Sequence, residues 1–169
     1  MRYFSLVVSL LLSSTVVNAD RYAVRPLDAV ATDILARAVE ASEVVRSLVA
    51  TIESSNVIAH VETARQMPGE IAGMMRFVTS RGGYRYLRIT IAVELSRDER
   101  IAILAHELKH ACEVAESDAG DVNSLRRLFG SEGHIAGEYF DTRAAVRVEQ
   151  TVRRELKGLQ AEPVVKFHH

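Results

Sequence analysis

Apolar side chains recur at three- and four-residue spacing from Pro26 to about Ile52. This period predicts an amphipathic helix, or two helices that are separated near Ser42. Toward the end of the chain, similar spacing predicts a short helix over residues 121–129 and a long helix over about residues 138–159. The helices therefore flank a central segment whose pattern is different.

That central segment alternates apolar and polar residues with a period of two. Such alternation predicts half-buried strands over residues 57–62, 71–80 and 84–93. The last two are joined by Arg81, Gly82 and Gly83, and a glycine turn of this kind suits a hairpin. We therefore predict an α+β fold in which three strands form a small antiparallel sheet with helices covering one face.

The first nineteen residues have the organisation of a signal peptide. Arg2 supplies a positive start, Phe4 to Val17 are apolar or small, and Ala19 ends a stretch of small side chains. A span of about 20 apolar residues is needed to cross a bilayer, so this segment is too short for a membrane anchor. We expect cleavage after Ala19, which leaves residues 20–169 as a single secreted or periplasmic domain without stable membrane insertion.

The composition excludes several classes of protein. The chain is 48% hydrophobic and 25% charged, as expected of a globular domain, and 21 Lys plus Arg balance 22 Asp plus Glu. Gross charge therefore implies no nucleic-acid partner. Cys112 is the one cysteine, so no internal disulfide can form, and we expect it to be a core thiol. Nothing in the sequence indicates an oligomeric state.

The candidate chemistry lies in a further predicted helix. Ser96 and Glu99 fit a capping box, so a helix should begin there and end near Glu116. It contains His106-Glu107-Leu108-Lys109-His110. Residues four apart on a helix differ by about 40° in azimuth and about 6 Å in rise, so both imidazoles can bind one ion. Chance alone would give roughly 0.02 matches to this pattern in such a composition.

Two histidines and a glutamate at this spacing suit amide hydrolysis. A bound Zn²⁺ lowers the pKa of its water to about 7 and polarises a carbonyl oxygen. Glu107 neighbours the first histidine and can take the proton of that water as general base. The sequence therefore predicts His106 and His110 as zinc ligands and Glu107 as the catalytic residue.

Ala105-His-Glu-Leu-Lys-His-Ala111 resembles the active-site helix of the zincin metallopeptidases. Three blocks are also similar to a group of small, secreted, uncharacterised bacterial proteins with an HELxHA motif: residues 84–89, 104–115 and 139–145. The resemblance implies a minimal zincin-like fold, in which the small sheet packs on the active-site helix between N-terminal and C-terminal helices. It also implies zinc as the cofactor and a peptide or protein as the substrate.

The resemblance leaves the third zinc ligand open. Metzincins place a histidine six residues after the second one, where this chain has Glu116. Gluzincins use a glutamate of a later helix, and Asp141 heads a segment that is similar to theirs, with aspartate in place of glutamate. Asp141 also begins an apolar stripe of the last predicted helix, where a buried carboxylate would need a cation. We therefore favour Asp141, with Glu138 and Glu113 as alternatives; Glu113 could instead orient a histidine.

The leading hypothesis is a secreted or periplasmic zinc-dependent metallopeptidase. In zincin-like scaffolds an edge strand above the cleft pairs with an extended peptide, and Tyr84 to Ala92 is the candidate strand. The alternative is a catalytically inactive zincin-like module that binds zinc or a protein partner. A metal-free helical interaction protein is a third possibility.

Overall fold

The structure is a computed structural model. It describes residues 22–69, 71–130, 133–136 and 139–161, and of residues 133–136, 139–140 and 159–161 it describes the backbone alone. The signal peptide expected over residues 1–19 lies outside these ranges, as does Glu138. Within them, no helix combines the length and apolar character that crossing a bilayer requires.

The first helical segment is two helices, α1 (Ala29–Ala41) and α2 (Glu43–Glu53), so the predicted break near Ser42 is confirmed. Ser42 is buried and has an extended backbone, and its hydroxyl accepts a hydrogen bond from the Val45 amide at the start of α2. The same hydroxyl donates to Oε2 of Glu155 at 2.5 Å. One small polar residue therefore ends α1, begins α2 and ties both to the last helix.

The main sheet differs from the predicted one. It has four strands, in the order β1 (Val24–Pro26), β2 (Val57–Ala64), β4 (Tyr84–Ala92) and β3 (Gly73–Arg81). β1 pairs with β2 and β2 with β4 in parallel, whereas β3 pairs with β4 in the antiparallel sense. The α+β class is confirmed, but the antiparallel three-stranded sheet was wrong. Alternation reveals which side chains share a face, and it carries no information on strand order or direction.

The hairpin of β3 and β4 forms as predicted. Gly82 and Gly83 have φ angles of 61° and 81°, a left-handed conformation that glycine adopts without steric cost. Because β4 lies between β2 and β3, it is a central strand, and the expectation that Tyr84 to Ala92 forms an edge was wrong. The edge strand at this side of the sheet is β3.

Helix α3 (Arg97–Ala115) carries the histidines and begins with the predicted capping box. The Ser96 hydroxyl accepts from the Glu99 amide, and the Glu99 carboxylate accepts from the Ser96 amide. At the other end, the buried Arg85 guanidinium of β4 donates to the carbonyl oxygens of Val114 and Ser117, both at 2.6 Å. These contacts satisfy carbonyl groups that the end of a helix leaves unpaired.

The core lies between the sheet and the helices. α3 is buried along Ile101, Leu104, Leu108 and Ala111, against the odd-numbered residues of β2 and β4. Cys112 is 1% exposed, so the prediction of a core thiol is confirmed, and burial raises the pKa of this thiol to about 12. The histidine helix therefore packs on the sheet and on α1 and α2.

The chain after α3 departs from the prediction. The short helix α4 (Val122–Gly130) is followed by a two-stranded hairpin, β5 (Gly133–Ala136) and β6 (Tyr139–Thr142), and only then by α5 (Arg143–Ala161). Asp141 therefore lies in a strand and does not head the stripe of the last helix. Its side chain is 59% exposed, so the burial argument that selected it was wrong.

Candidate metal centre

His106 and His110 face each other across one turn of α3. Their Nε2 atoms are 3.2 Å apart, and their ring centroids are 4.9 Å apart at an angle of 72°. His110 is 1% exposed, and its ring packs edge to face on Phe129 of α4. The 13% exposure of the His106 side chain makes it the more open of the two. The predicted convergence of the two imidazoles is therefore present.

Glu113 orients His110. Its Oε2 lies 2.9 Å from Nδ1 of His110, and its Oε1 accepts a hydrogen bond from the Thr142 hydroxyl at 2.9 Å. Burial raises the pKa of Glu113, but the contacts with His110 and Thr142 and the charge of Lys109 outweigh it and hold this pKa below its usual value. Because Glu113 contacts the nitrogen that points away from His106, it occupies the position of an orienting residue.

Glu149 does the same for His106 and was missed by the sequence analysis. Its Oε2 lies 3.1 Å from Nδ1 of His106, while its Oε1 accepts from the Arg153 guanidinium at 2.9 to 3.0 Å. Glu149 falls on the inward side of α5, between the buried residues Ala145 and Val152. A carboxylate within an apolar stripe needs a partner, and the residue of the last helix that carries this signal is Glu149, not Asp141.

These contacts determine where the imidazole protons lie. An ionised carboxylate can only accept, so Nδ1 of each neutral ring carries the proton and each Nε2 is left with a bare lone pair. Two lone pairs that face each other at 3.2 Å repel unless a shared proton or a metal ion lies between them. Tetrahedral zinc with Zn–N distances of about 2.05 Å separates two nitrogen ligands by about 3.3 Å. The histidine pair therefore fits this ion.

Burial disfavours the protonated form of His106. It lowers the pKa of His106, and the neighbouring His110 lowers it further, while Glu149 and Asp141 act in the opposite direction. The neutral imidazole is the form that binds a metal, so this environment favours the ligand form of His106.

Asp141, the favoured candidate for a third ligand, lies beside His106. Its Oδ1 lies 3.7 Å from Nε2 of His106, slightly more than the separation of about 3.3 Å for two ligands of one tetrahedral ion. Accordingly, no group of three or more His, Cys, Asp or Glu side chains in the described part of the chain is placed to hold a metal. The two imidazoles converge, and Asp141 lies slightly too far from His106 to share one tetrahedral ion with it.

Glu107 is a residue of α3, and its side chain lies against the edge strand β3. It is 6% exposed, and its Oε1 is 3.0 Å from where a β-carbon would stand on Gly73 of β3. Burial raises the pKa of Glu107 to about 7, against the charge of His110 and a hydrogen bond from the Met75 backbone, and with further increases from Asp141 and Glu149. The carboxylate is therefore within electrostatic reach of the histidine pair.

No family model, curated protein or solved structure matches this chain. Any function of the centre must therefore be inferred from its own side chains and their contacts.

Proposed function

We propose that the chain is a secreted or periplasmic zinc-dependent metallopeptidase with a zincin-like arrangement. The observation that carries this proposal is the pair of facing Nε2 atoms, each on a ring whose Nδ1 is held by a carboxylate. In this proposal His106 and His110 bind zinc through Nε2, and Asp141 completes the ligand set from β6. Glu113 and Glu149 keep both rings in the tautomer that binds.

A zinc ion at this position would lower the pKa of a bound water to about 7 and polarise the carbonyl of a peptide bond. Glu107 then has the role of general base: its carboxylate takes a proton from the attacking water and returns it to the leaving amine. Its burial against β3 keeps it away from bulk solvent. Aspartate as third ligand is one methylene shorter than the glutamate usual in gluzincins, and Asp141 of β6 lies 3.7 Å from Nε2 of His106.

The edge strand supplies a way to hold a peptide. In the described part of the chain, β3 pairs on one side alone, with β4, and its Gly73 borders Glu107. An extended peptide that adds to the outer side of β3 would pass close to the histidine helix. In this proposal β3 takes the role that the sequence analysis assigned to Tyr84–Ala92.

The secreted or periplasmic location is supported by the sequence of residues 1–19, with a positive start, an apolar stretch and small residues before the cleavage point. N-terminal sequencing of the protein after export tests it. We expect the mature chain to begin at Asp20, and a retained apolar segment would contradict this.

Glu107→Gln tests the proposed reaction. We expect the wild type to cleave members of a broad peptide library, followed by mass spectrometry, and the variant to be about 10² to 10⁴ times slower with its zinc content unchanged. Glu94→Gln, at an exposed position beyond β4, is the matched control and should retain activity. A wild type that holds zinc and cleaves nothing would contradict the peptidase and favour the zinc-binding module.

A further inference from the structure

Four positively charged or imidazole side chains form one row across the sheet. Strand register places Arg25 of β1 opposite His60 of β2, His60 opposite Arg88 of β4, and Arg88 opposite Arg76 of β3. Side chains opposite each other on one face are neighbours, so the row crosses all four strands on the face away from the helices. The chain as a whole has a net charge of −1, which makes this row a local concentration of positive charge.

At the β4 and β3 end of the row, little negative charge lies nearby among the described residues. Glu62 lies 3.7 Å from Arg88, and the Arg88 side chain is still 41% exposed, with its Nε buried and without a hydrogen-bond partner. Arg81 adds a further charge beside Tyr84 at the end of β3. Arg76 and Arg81 are exposed, and among the described residues neither has a carboxylate within ion-pair distance. The positive charge of Arg76 and Arg81 is therefore exposed on the edge strand β3.

The unpaired edge of β3 limits the classes of molecule that could bind beside the arginine row. The outer side of β3 presents backbone amide and carbonyl groups that a polypeptide can pair with, and nucleic acids, glycans and lipids cannot continue a β-ladder. The side chains of a paired peptide would alternate between the two faces of the sheet. Those on the helix side would face Gly73 and Glu107, and those on the other side would stand beside Arg76.

We propose that β3 and the arginine row bind an extended acidic peptide, with an acidic side chain beside Arg76 on the face away from the helices. Arg76 is three positions along the strand from Gly73, which corresponds to about 10 Å. The acidic residue would therefore lie about three residues from the segment that passes Glu107. As a statement about substrate this rests on the proposed peptidase function, whereas as a statement about binding it does not.

Binding to the full chain carrying Glu107→Gln tests the inference without cleavage. The probe is a short labelled peptide in which glutamate alternates with threonine, compared with a lysine–threonine peptide by fluorescence anisotropy. We expect the acidic peptide to bind more tightly, and Arg76→Glu to weaken its binding about tenfold. Arg126→Glu, the same change at an exposed position of α4, should have no effect. Arg76→Gln removes the charge without reversing it. We expect it to cause an intermediate loss of peptide binding, which would show that the effect of Arg76→Glu does not come from a folding defect.

A backbone-methylated form of the acidic peptide separates strand pairing from charge attraction. It keeps every carboxylate but cannot donate to a β-ladder, so we expect its binding to be lost. Equal binding of the methylated peptide, or equal losses in Arg76→Glu and Arg126→Glu, would overturn the inference. Tight, Arg76-dependent binding of heparin or of phosphatidylglycerol vesicles that excludes the peptide would overturn it as well.

The two proposals fail in different ways. Acidic preference in binding, without hydrolysis by the wild type, would support the docking inference and contradict the peptidase. Hydrolysis of peptides by the wild type, with cleavage unaffected by acidic residues and by Arg76→Glu, would support the peptidase and contradict the inference.

Discussion

Oε2 of Glu149 lies 3.1 Å from Nδ1 of His106, although the two residues are 43 positions apart in the chain. The contact joins α5 to α3 at the candidate metal centre, and Arg153 donates to the other oxygen of the same carboxylate. The orientation of a candidate zinc ligand therefore depends on the docking of the last helix. We expect the centre to form only in the folded chain, so that zinc binding and folding are coupled.

Glu149→Ala should weaken zinc binding about 10- to 100-fold, since the His106 ring loses the acceptor that sets its tautomer and orientation. Competition with a chromophoric chelator measures this. Glu149→Gln should recover part of the affinity because its amide oxygen can still accept from Nδ1. Glu40→Ala, at an exposed position of α1, is the control. Equal affinities for wild type and Glu149→Ala would contradict the role of Glu149.

Gly73→Ala should impair the centre through the edge strand. The new methyl group would stand 2.4 Å from Cγ2 of Ile103 and 3.0 Å from Oε1 of Glu107, so one of them must move. We expect a loss of about 1 to 3 kcal/mol in the free energy of unfolding, measured in urea, and a larger loss of hydrolysis. Adding Ile103→Ala should relieve the overlap and recover stability.

Gly158→Ala is the matched control for that change. Gly158 lies in α5 with open space around its α-carbon, so alanine should stabilise the fold by about 0.5 to 1 kcal/mol through helix propensity. A Gly73→Ala variant as stable as wild type would show that the strand and α3 can separate without cost.

Arg85→Met should destabilise the fold by about 3 kcal/mol, because the Val114 and Ser117 carbonyls and the Asn56 side chain lose a charged donor. Urea unfolding measures the change. Arg126→Met removes an exposed arginine and should alter stability by less than about 0.5 kcal/mol. Similar small effects of both substitutions would show that the end of α3 does not need Arg85.

The stability contributed by Asp28 should depend on pH. Its carboxylate accepts hydrogen bonds from the amides of Ala31 and Thr63. Partial burial raises the pKa of Asp28, but these bonds outweigh it and lower the pKa below its usual 3.8. The contribution is therefore complete above the unfolded pKa and is lost as the pH falls through the lower, folded pKa.

Asp28→Ala measures that contribution. At neutral pH we expect a loss of about 1 to 2 kcal/mol, from the helix cap and the link to β2. Well below pH 3.8 the stabilities of wild type and variant should converge. A difference that stays constant over this range would contradict the assignment of the effect to the ionised carboxylate.

Local signals in the sequence predicted local structure. The capping box at Ser96, the break at Ser42 and the glycine hairpin are each specified by a few neighbouring residues, and all three are present. The facing of His106 and His110 follows from helix geometry alone. These features depend on short-range backbone preferences, which a single sequence contains.

Features that depend on distant contacts were missed. β1 has three residues, too few to show a period, and the parallel pairing of β2 with β4 gives the same alternation as an antiparallel one. Residues 133–142 contain two short strands where a helix was predicted to begin. Asp141 is close to His106 because of that hairpin, so the prediction named a nearby residue for a mistaken reason.

The central claim is that the facing Nε2 atoms of His106 and His110 bind zinc. Metal analysis of the purified chain tests it most directly, with His106→Ala, His110→Ala and Asp141→Ala beside the wild type and His60→Ala as control. We expect about one zinc per chain in the wild type and in His60→Ala, none in the two α3 variants and weakened binding in Asp141→Ala. A wild type without zinc, or full zinc content in both α3 variants, would contradict the claim.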